Sequence, residues 1–394
     1  MKYDYIIAGA GLAGLSLCLS ILESKQLQGA RILLLDKDAK QSNDRTWSFW
    51  SKDIGELSKI VQGQWKRAKV YTPEQQSLSL HLHPYQYYTI RGLDFYRYAF
   101  EKINAAANVQ FLQTEILKCD SDGQVTTQDG TFQGDWVFKS YFDLKDVPSD
   151  TKATFVWQHF KGWEIETEED CFNPEELTMM DFRIADEQAT KFFYVLPFAP
   201  NRALVEYTEF SATICQQDAY DGFLKQYIRQ NLGITNYRVV EEECNAIPMT
   251  DHNFGRQLNG RILTIGTMAG YVKPSSGYCF TRTLARNHVL VEMLEQGKQI
   301  DPQRLSSDIK YQWYDATLLH VMSQNRVFGH DIFASLFRRL SGSQVFKFLD
   351  EQSSLLEDLQ IMLAVPGKIE FAKFFFRRAL SDGFYRFRYL FLGR

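Results

Sequence analysis

The chain has 394 residues, 23% charged and 45% hydrophobic, with 24 glycines and 10 prolines, which excludes disordered, collagen-like and disulfide-scaffold proteins. A formal net charge of −4 excludes a general polyanion binder, so no nucleic-acid partner is expected. Two domains, each with a sizeable core, are expected at this length. Aromatic residues are abundant, 30 Phe, 20 Tyr and 7 Trp, more than a core alone needs, and are expected to line something large and apolar. Cys18, Cys119, Cys171, Cys215, Cys244 and Cys279 are far apart with no C-x-x-C pair, as in reduced thiols of an intracellular protein. No apolar run reaches the roughly 18 residues of a membrane span. The apolar start of the chain carries Asp4 and regularly spaced glycines, unlike a signal peptide. A cytoplasmic chain, soluble or peripheral on a membrane, is the expectation.

The first chemical signal lies at the start. Tyr3 to Ala8 reads as a short apolar strand, Gly9-Ala10-Gly11-Leu12-Ala13-Gly14 follows, and Leu15 to Leu22 reads as a buried helix. A second strand, Arg31 to Leu35, ends at Asp36. This is the strand–glycine loop–helix context in which G-x-G-x-x-G binds a dinucleotide. Gly9 permits the turn, Gly11 admits a pyrophosphate, and Gly14 lets helix and strand pack. The helix start presents free N–H groups to the phosphates, and Asp36 would accept from the ribose hydroxyls. The motif does not distinguish nicotinamide from flavin. A late apolar strand, Arg261 to Ile265, runs into Gly266-Thr267-Met268-Ala269-Gly270, with Pro274 and Gly277 beyond. Hydroxylase-type flavoproteins close their FAD site with such a strand, and FAD is favoured, although Thr267 stands where an Asp is usual.

After a polar loop, Arg45-Thr46-Trp47-Ser48-Phe49-Trp50 reads equally as a cofactor neighbour or as a hydrophobic staple. Leu78 to Leu82 alternates and places His81 and His83 on one strand face; no acid or Cys completes a ligand set, so no metal site is expected. A helix is predicted over 92–107 and strands near 109–111, 125–127 and 136–138. From 153 longer strands are predicted over 153–160, 177–184, 192–197 and 203–210. Helices are predicted over 284–296, 308–321 and 343–349. The fold class is α/β: a Rossmann-like FAD-binding domain (1–75, 92–150 and 245–300), an inserted β-sheet substrate domain (76–91 and 151–244), and a helical C-terminal region (301–394). Within 203–210, alternation puts Leu204, Glu206, Thr208 and Phe210 on one face. Glu206 would therefore sit among apolar groups, where desolvation keeps its proton on, unless it is salt-paired or solvated.

Several strings together resemble the bacterial-type lycopene β-cyclases, FAD-dependent enzymes. They are the Gly9–Gly14 fingerprint with Asp36, Asn43-Asp44-Arg45-Thr46-Trp47-Ser48-Phe49-Trp50, Gln158 to Glu164, and Met180-Asp181-Phe182-Arg183. Ala246-Ile247-Pro248-Met249-Thr250, Gly266-Thr267, Val272 to Tyr278, Phe348-Leu349-Asp350 and Ile361 to Phe371 follow in the same order. Leu204-Val205-Glu206-Tyr207-Thr208 is similar to the family's Phe-Leu-Glu-Glu-Thr, with Tyr207 replacing the second glutamate; Ser140 replaces a common Asp. The resemblance implies Glu206 as catalytic acid. It implies a cofactor set of Gly9, Gly11, Gly14, Asp36, Arg45, Gly266, Thr267 and Gly277. It also implies a redox-neutral cyclisation of the ψ ends of lycopene, or of a related linear carotenoid, to β-ionone rings. Reduced FAD, maintained by NAD(P)H, would stabilise the cation. A flavin-dependent monooxygenase acting on an apolar substrate, and a carotenoid-holding protein, are the competing readings. Residues 365–394 hold seven basic against two acidic residues and nine aromatics, which fits either a membrane-interface anchor or a packed element with a basic rim; a carotenoid substrate favours the membrane. No feature points to a protein partner.

Overall fold

The computed structural model describes residues 2–141, 153–252, 258–297, 299–324 and 326–381. It opens with β1 (Lys2–Ala8), α1 (Leu12–Glu23) and β2 (Ile32–Asp36). The first four residues of β2 are fully buried, because a parallel strand covered on both faces needs a continuous apolar run. Helix α1 buries nine of its 12 residues, as a helix enclosed on all sides must.

Five strands follow: β3 (Thr46–Ser51), β4 (Gly63–Trp65), β5 (Arg67–Tyr71), β6 (Ser77–His81) and β7 (Gln86–Arg91). β3, β7 and β4 form a small antiparallel sheet, whereas β5 and β6 belong to a large sheet described below. Then α2 (Gly92–Ala105) buries Phe95, Tyr96, Ala99 and Ile103 along one face, as its helical spacing requires. β8 (Val109–Gln113), β9 (Ile116–Cys119), β10 (Gln124–Thr127) and β11 (Gly130–Lys139) complete the first half.

The second half begins with β12 (Phe155–Glu166), β13 (Glu176–Asp181), β14 (Thr190–Ala199), β15 (Arg202–Ser211), α3 (Gln217–Gln230) and β16 (Arg238–Thr250). The seven-stranded sheet runs β16-β12-β15-β14-β13-β5-β6. Two short strands, β17 (Leu258–Asn259) and β18 (Ile262–Thr264), return to the first sheet, whose order is β17-β18-β11-β1-β2-β8. Helices α4 (Phe280–Glu295), α5 (Ile309–Ser323), α6 (Gly329–Arg339), α7 (Gly342–Leu349), α8 (Leu355–Ala364) and α9 (Lys368–Ser381) follow. Ser341 with Gln344 and Ser354 with Glu357 close capping boxes that start α7 and α8, each satisfying two backbone donors.

The expected α/β architecture with a helical C-terminal region is present. Pairing rather than local composition sets sheet membership. β5 pairs with β13, so the large sheet takes in 67–71, a segment the sequence assigns to the first domain. β16 pairs with β12 as far as Thr250, beyond the expected limit at 244. Helices α3, α6 and α8 were not anticipated. Among the described residues no helix is long and apolar enough to cross a membrane. The tail beyond 381, with Arg386, Arg388 and Arg394, lies outside the described residues.

Candidate functional site

The glycine fingerprint sits between β1 and α1, as expected. Gly9 adopts φ 114°, and a Cβ at Gly14 would lie 1.9 Å from the Gly9 carbonyl oxygen, so the first turn of α1 packs on the loop as only glycine allows. Gly11 precedes α1 and faces open space: a Cβ there would meet no atom within 4 Å, and no side chain caps the helix start. Asp36 ends β2 with its carboxylate accepting the Ala10 N–H at 2.6 Å and 3.5 Å from Lys40 Nζ. Ser140 Oγ donates to the Gly9 carbonyl at 2.8 Å. After β18 a single 3₁₀ turn, Gly266–Ala269, carries Gly266 and Thr267, and a Cβ on Gly266 would lie 3.0 Å from that of Ala13. These residues meet at one end of the first sheet.

Arg45 lies just before β3, its guanidinium 2.7 Å from Asp44 Oδ2, while Tyr96 donates to Asp44 at 2.8 Å. Burial opposes ionisation of Asp44, but these bonds hold its carboxyl below the ordinary value. Gly277 closes a turn onto the Lys273 carbonyl and backs against Gln158 of β12, tying the first sheet to the second. The β3 rings are built into the core: Phe49 stacks on Phe280 at 4.2 Å, and Trp50 stacks on Phe346 at 4.5 Å while donating to Asp350 at 2.8 Å. His81 and His83 are exposed.

Glu206 lies in the middle of β15, on the face shared with Leu204, Thr208 and Phe210. Thr208 donates to its carboxyl at 2.8 Å. Glu206 is part-buried. The phenols of Tyr87, Tyr194 and Tyr278 bear on it. Tyr278 is 3.0 Å from the Tyr87 hydroxyl and 3.4 Å from that of Tyr194. Burial, then the neighbouring Glu243, pushes the Glu206 carboxyl well above the usual 4.5. Both effects favour the form that keeps its proton.

Tyr194, Tyr278 and Trp50 also line a cavity of about 370 Å³ that extends under α5–α9 between Met180, Phe333 and Phe375. It is walled mainly by aromatic and aliphatic side chains, and it accounts for much of the aromatic excess.

Sequence reasoning missed Glu243. In the sheet register Glu206 of β15 and Glu243 of β16 both pair with Gly162 of β12, one on each side. The signal was available as a glycine inside a long strand, but β16 was not read as a strand. The opposite face of the sheet carries a second cluster, His159, Glu209 and Cys215. Tyr207 donates to Glu209 at 2.5 Å, and His159 contacts Ser211 Oγ at 2.8 Å and the Tyr220 hydroxyl at 2.6 Å. Tyr207 therefore faces α3, and its replacement of a glutamate does not reach Glu206.

The fold is that of flavin hydroxylases. Klebsiella pneumoniae HpxO, solved in complex with FAD, superposes over 93% of this chain and 99% of its own with a TM-score of 0.60 at 16% identity. The family model described as lycopene cyclase protein matches residues 4–372, and the chain belongs to that family. It is 26% identical over 295 residues to a lycopene beta-cyclase of Paracoccus sp., covering 71% of this chain and 70% of the relative. It is 25% identical over 313 residues to the chloroplastic lycopene beta cyclase of Solanum lycopersicum, covering 74% and 60%.

Proposed function

We propose that the chain is a lycopene β-cyclase that converts linear ψ ends to β-ionone rings by acid catalysis without net redox change, with Glu206 as the acid. The observation that carries this reading is the placement of Glu206 among the phenols of Tyr87, Tyr194 and Tyr278, the last two of which line the aromatic cavity. Its proton passes to C2 of the ψ end and leaves a tertiary cation at C1. The C5=C6 pair closes the ring onto C1, and loss of the C6 proton gives the product. Tyr87, Tyr194 and Tyr278 offer π faces to the cation and, with the apolar wall, exclude water.

The residues present fit FAD. The open space over Gly11 at an uncapped helix start suits a pyrophosphate, and Asp36 ends β2 where a ribose is held. Gly9, Gly11, Gly14 and Asp36 would hold the adenosine half, and Gly266, Thr267, Arg45 and Gly277 the remainder. Reduced FAD, with NAD(P)H as reductant, supplies negative charge that stabilises the cation. Peripheral contact with the cytoplasmic membrane is part of the same reading. It is supported by Leu356, Leu359 and Leu363 on α8 and by Ile369, Phe376 and Leu380 on α9, all at least half exposed, beside the cavity-lining Met362 and Phe371.

The test is expression in lycopene-accumulating cells. Wild type is expected to yield monocyclic or bicyclic carotenes and Glu206→Gln about a hundredfold less or none. Unchanged lycopene with a folded, flavin-loaded wild type would overturn the reading in favour of a monooxygenase, tested next by NAD(P)H-dependent oxygen uptake.

A further inference from the structure

We propose that Glu243 is a positioning residue for the proton of Glu206: the two carboxyls meet over the side-chain-free Gly162 and hold one proton between them. The proposal deepens the cyclase reading and rests on it. Three observations place the pair. Both residues are in register with Gly162 on the central strand. A Cβ on Gly162 would lie 3.2 Å from Glu243 Cγ and 2.9 Å from Leu204 Cδ1, so the absence of a side chain is what lets Glu243 lie over the strand. Glu243 is only 7% exposed, and the hydroxyl of Thr46 and the carboxyl of Glu206 are the hydrogen-bonding side chains that bear on it.

A buried carboxyl with only the Thr46 hydroxyl beside it and no cation is stabilised by sharing a proton with a neighbouring carboxyl. Cations are spoken for one register step away: Arg91 binds Glu241 at 2.6 Å, and Arg202 binds Glu164. These two ion pairs stand at a solvent-open cleft of about 830 Å³ that Arg91 and Arg202 help to line. The row of acids therefore has a neutralised wet end and a dry end whose charge only a proton can offset. The groups facing Glu206 are Thr208 on its own strand, Tyr194 from β14, Tyr87 from β7, Tyr278 from the loop before α4, and Glu243. Those bearing on Glu243 are Thr46 from β3, Glu206, Glu241 and Glu164.

The proton balance closes within the pair. With one proton shared by Glu206 and Glu243, the pair carries one negative charge. Transfer to C2 leaves two carboxylates facing one carbocation. Return of the C6 proton to Glu206, with the C6–H electrons becoming the C5=C6 bond, restores the starting state.

The experiment is the pH–rate profile of detergent- or liposome-supplied lycopene conversion by flavin-loaded wild type, Glu243→Gln and Glu243→Asp. Removing the neighbouring charge is expected to move the alkaline fall of activity in Glu243→Gln to lower pH by about one unit or more. Activity should recover on acidification and be partly rescued in Glu243→Asp. A uniform loss at every pH, or an unmoved alkaline limb, would overturn the proposal. Gly162→Ala, which keeps both carboxyls and displaces one, is expected to shift the limb the same way and serves if Glu243→Gln does not fold. An infrared titration separates this from failure of the cyclase reading. A protonated-carboxyl band present at pH 7, absent in Glu206→Gln and titrating at lower pH in Glu243→Gln upholds the pair even without turnover. A band unaffected by Glu243→Gln refutes it.

Discussion

The two faces of the seven-stranded sheet carry glutamates three residues apart on one strand, and they have different partners. Glu209 faces α3, where Tyr207 donates to it at 2.5 Å and Cys215 Sγ lies 3.6 Å away. Glu206 faces the cavity side, where Thr208 donates to it and Glu243 crowds it. Desolvation acts on both faces. At Glu206 the neighbouring carboxyl adds to desolvation in opposing ionisation. The same residue type on the same strand is thus bonded to a phenol on one side and crowded by a second carboxyl on the other.

The contrast can be broken most sharply by paired substitution. Glu206→Gln is expected to remove about a hundredfold or more of carotenoid conversion, whereas Glu209→Gln should leave turnover per folded molecule within about threefold; equal losses would erase the distinction. Next in size is Tyr207→Phe, which strips a donor from buried Glu209 and should cost roughly 1–3 kcal/mol in denaturant unfolding with the pH–rate profile unmoved.

The smallest effects are in the pH dependence of stability, and the two faces have opposite sign. Burial, then Glu243, raises the folded pKa of Glu206 above its ordinary 4.5. Its contribution is therefore complete below about 4.5 and declines as pH rises toward the folded value. Glu206→Gln should accordingly melt higher than wild type at pH 8. Burial lowers the folded pKa of His159 below 6.5, with Glu209 opposing. Its contribution is complete above about 6.5 and declines as pH falls toward the folded value, so His159→Gln should flatten the acid side of the melting curve. Thermal melts from pH 4 to 9 read both.

Much of the fold was legible because the informative patterns are local. The Gly9–Gly14 loop between two apolar strands, and the alternation that puts Glu206 with Leu204 and Phe210, need only the period of a strand or helix. What escaped depends on partners distant in sequence. β5 reads like its neighbours and joins the second sheet through β13. Glu243 sits in a run of three glutamates that looks like a solvated surface until β16 is laid beside Gly162. Helix α3 carries Tyr220, Leu224, Tyr227 and Ile228 at helical spacing, but polar residues and Gly222 between them mask the stripe.

Trp50 reaches from the small sheet to the cavity wall, with its ring against Phe346 and Tyr278, both at 4.5 Å, and its nitrogen held by Asp350. An indole fixed there is an optical gauge of occupancy. A conjugated chain entering the cavity would lie against it and quench its emission, and a Trp50→Phe control would isolate that signal from the other six tryptophans. Substrate arrival thereby becomes measurable apart from turnover, in variants that bind the polyene and leave it unchanged.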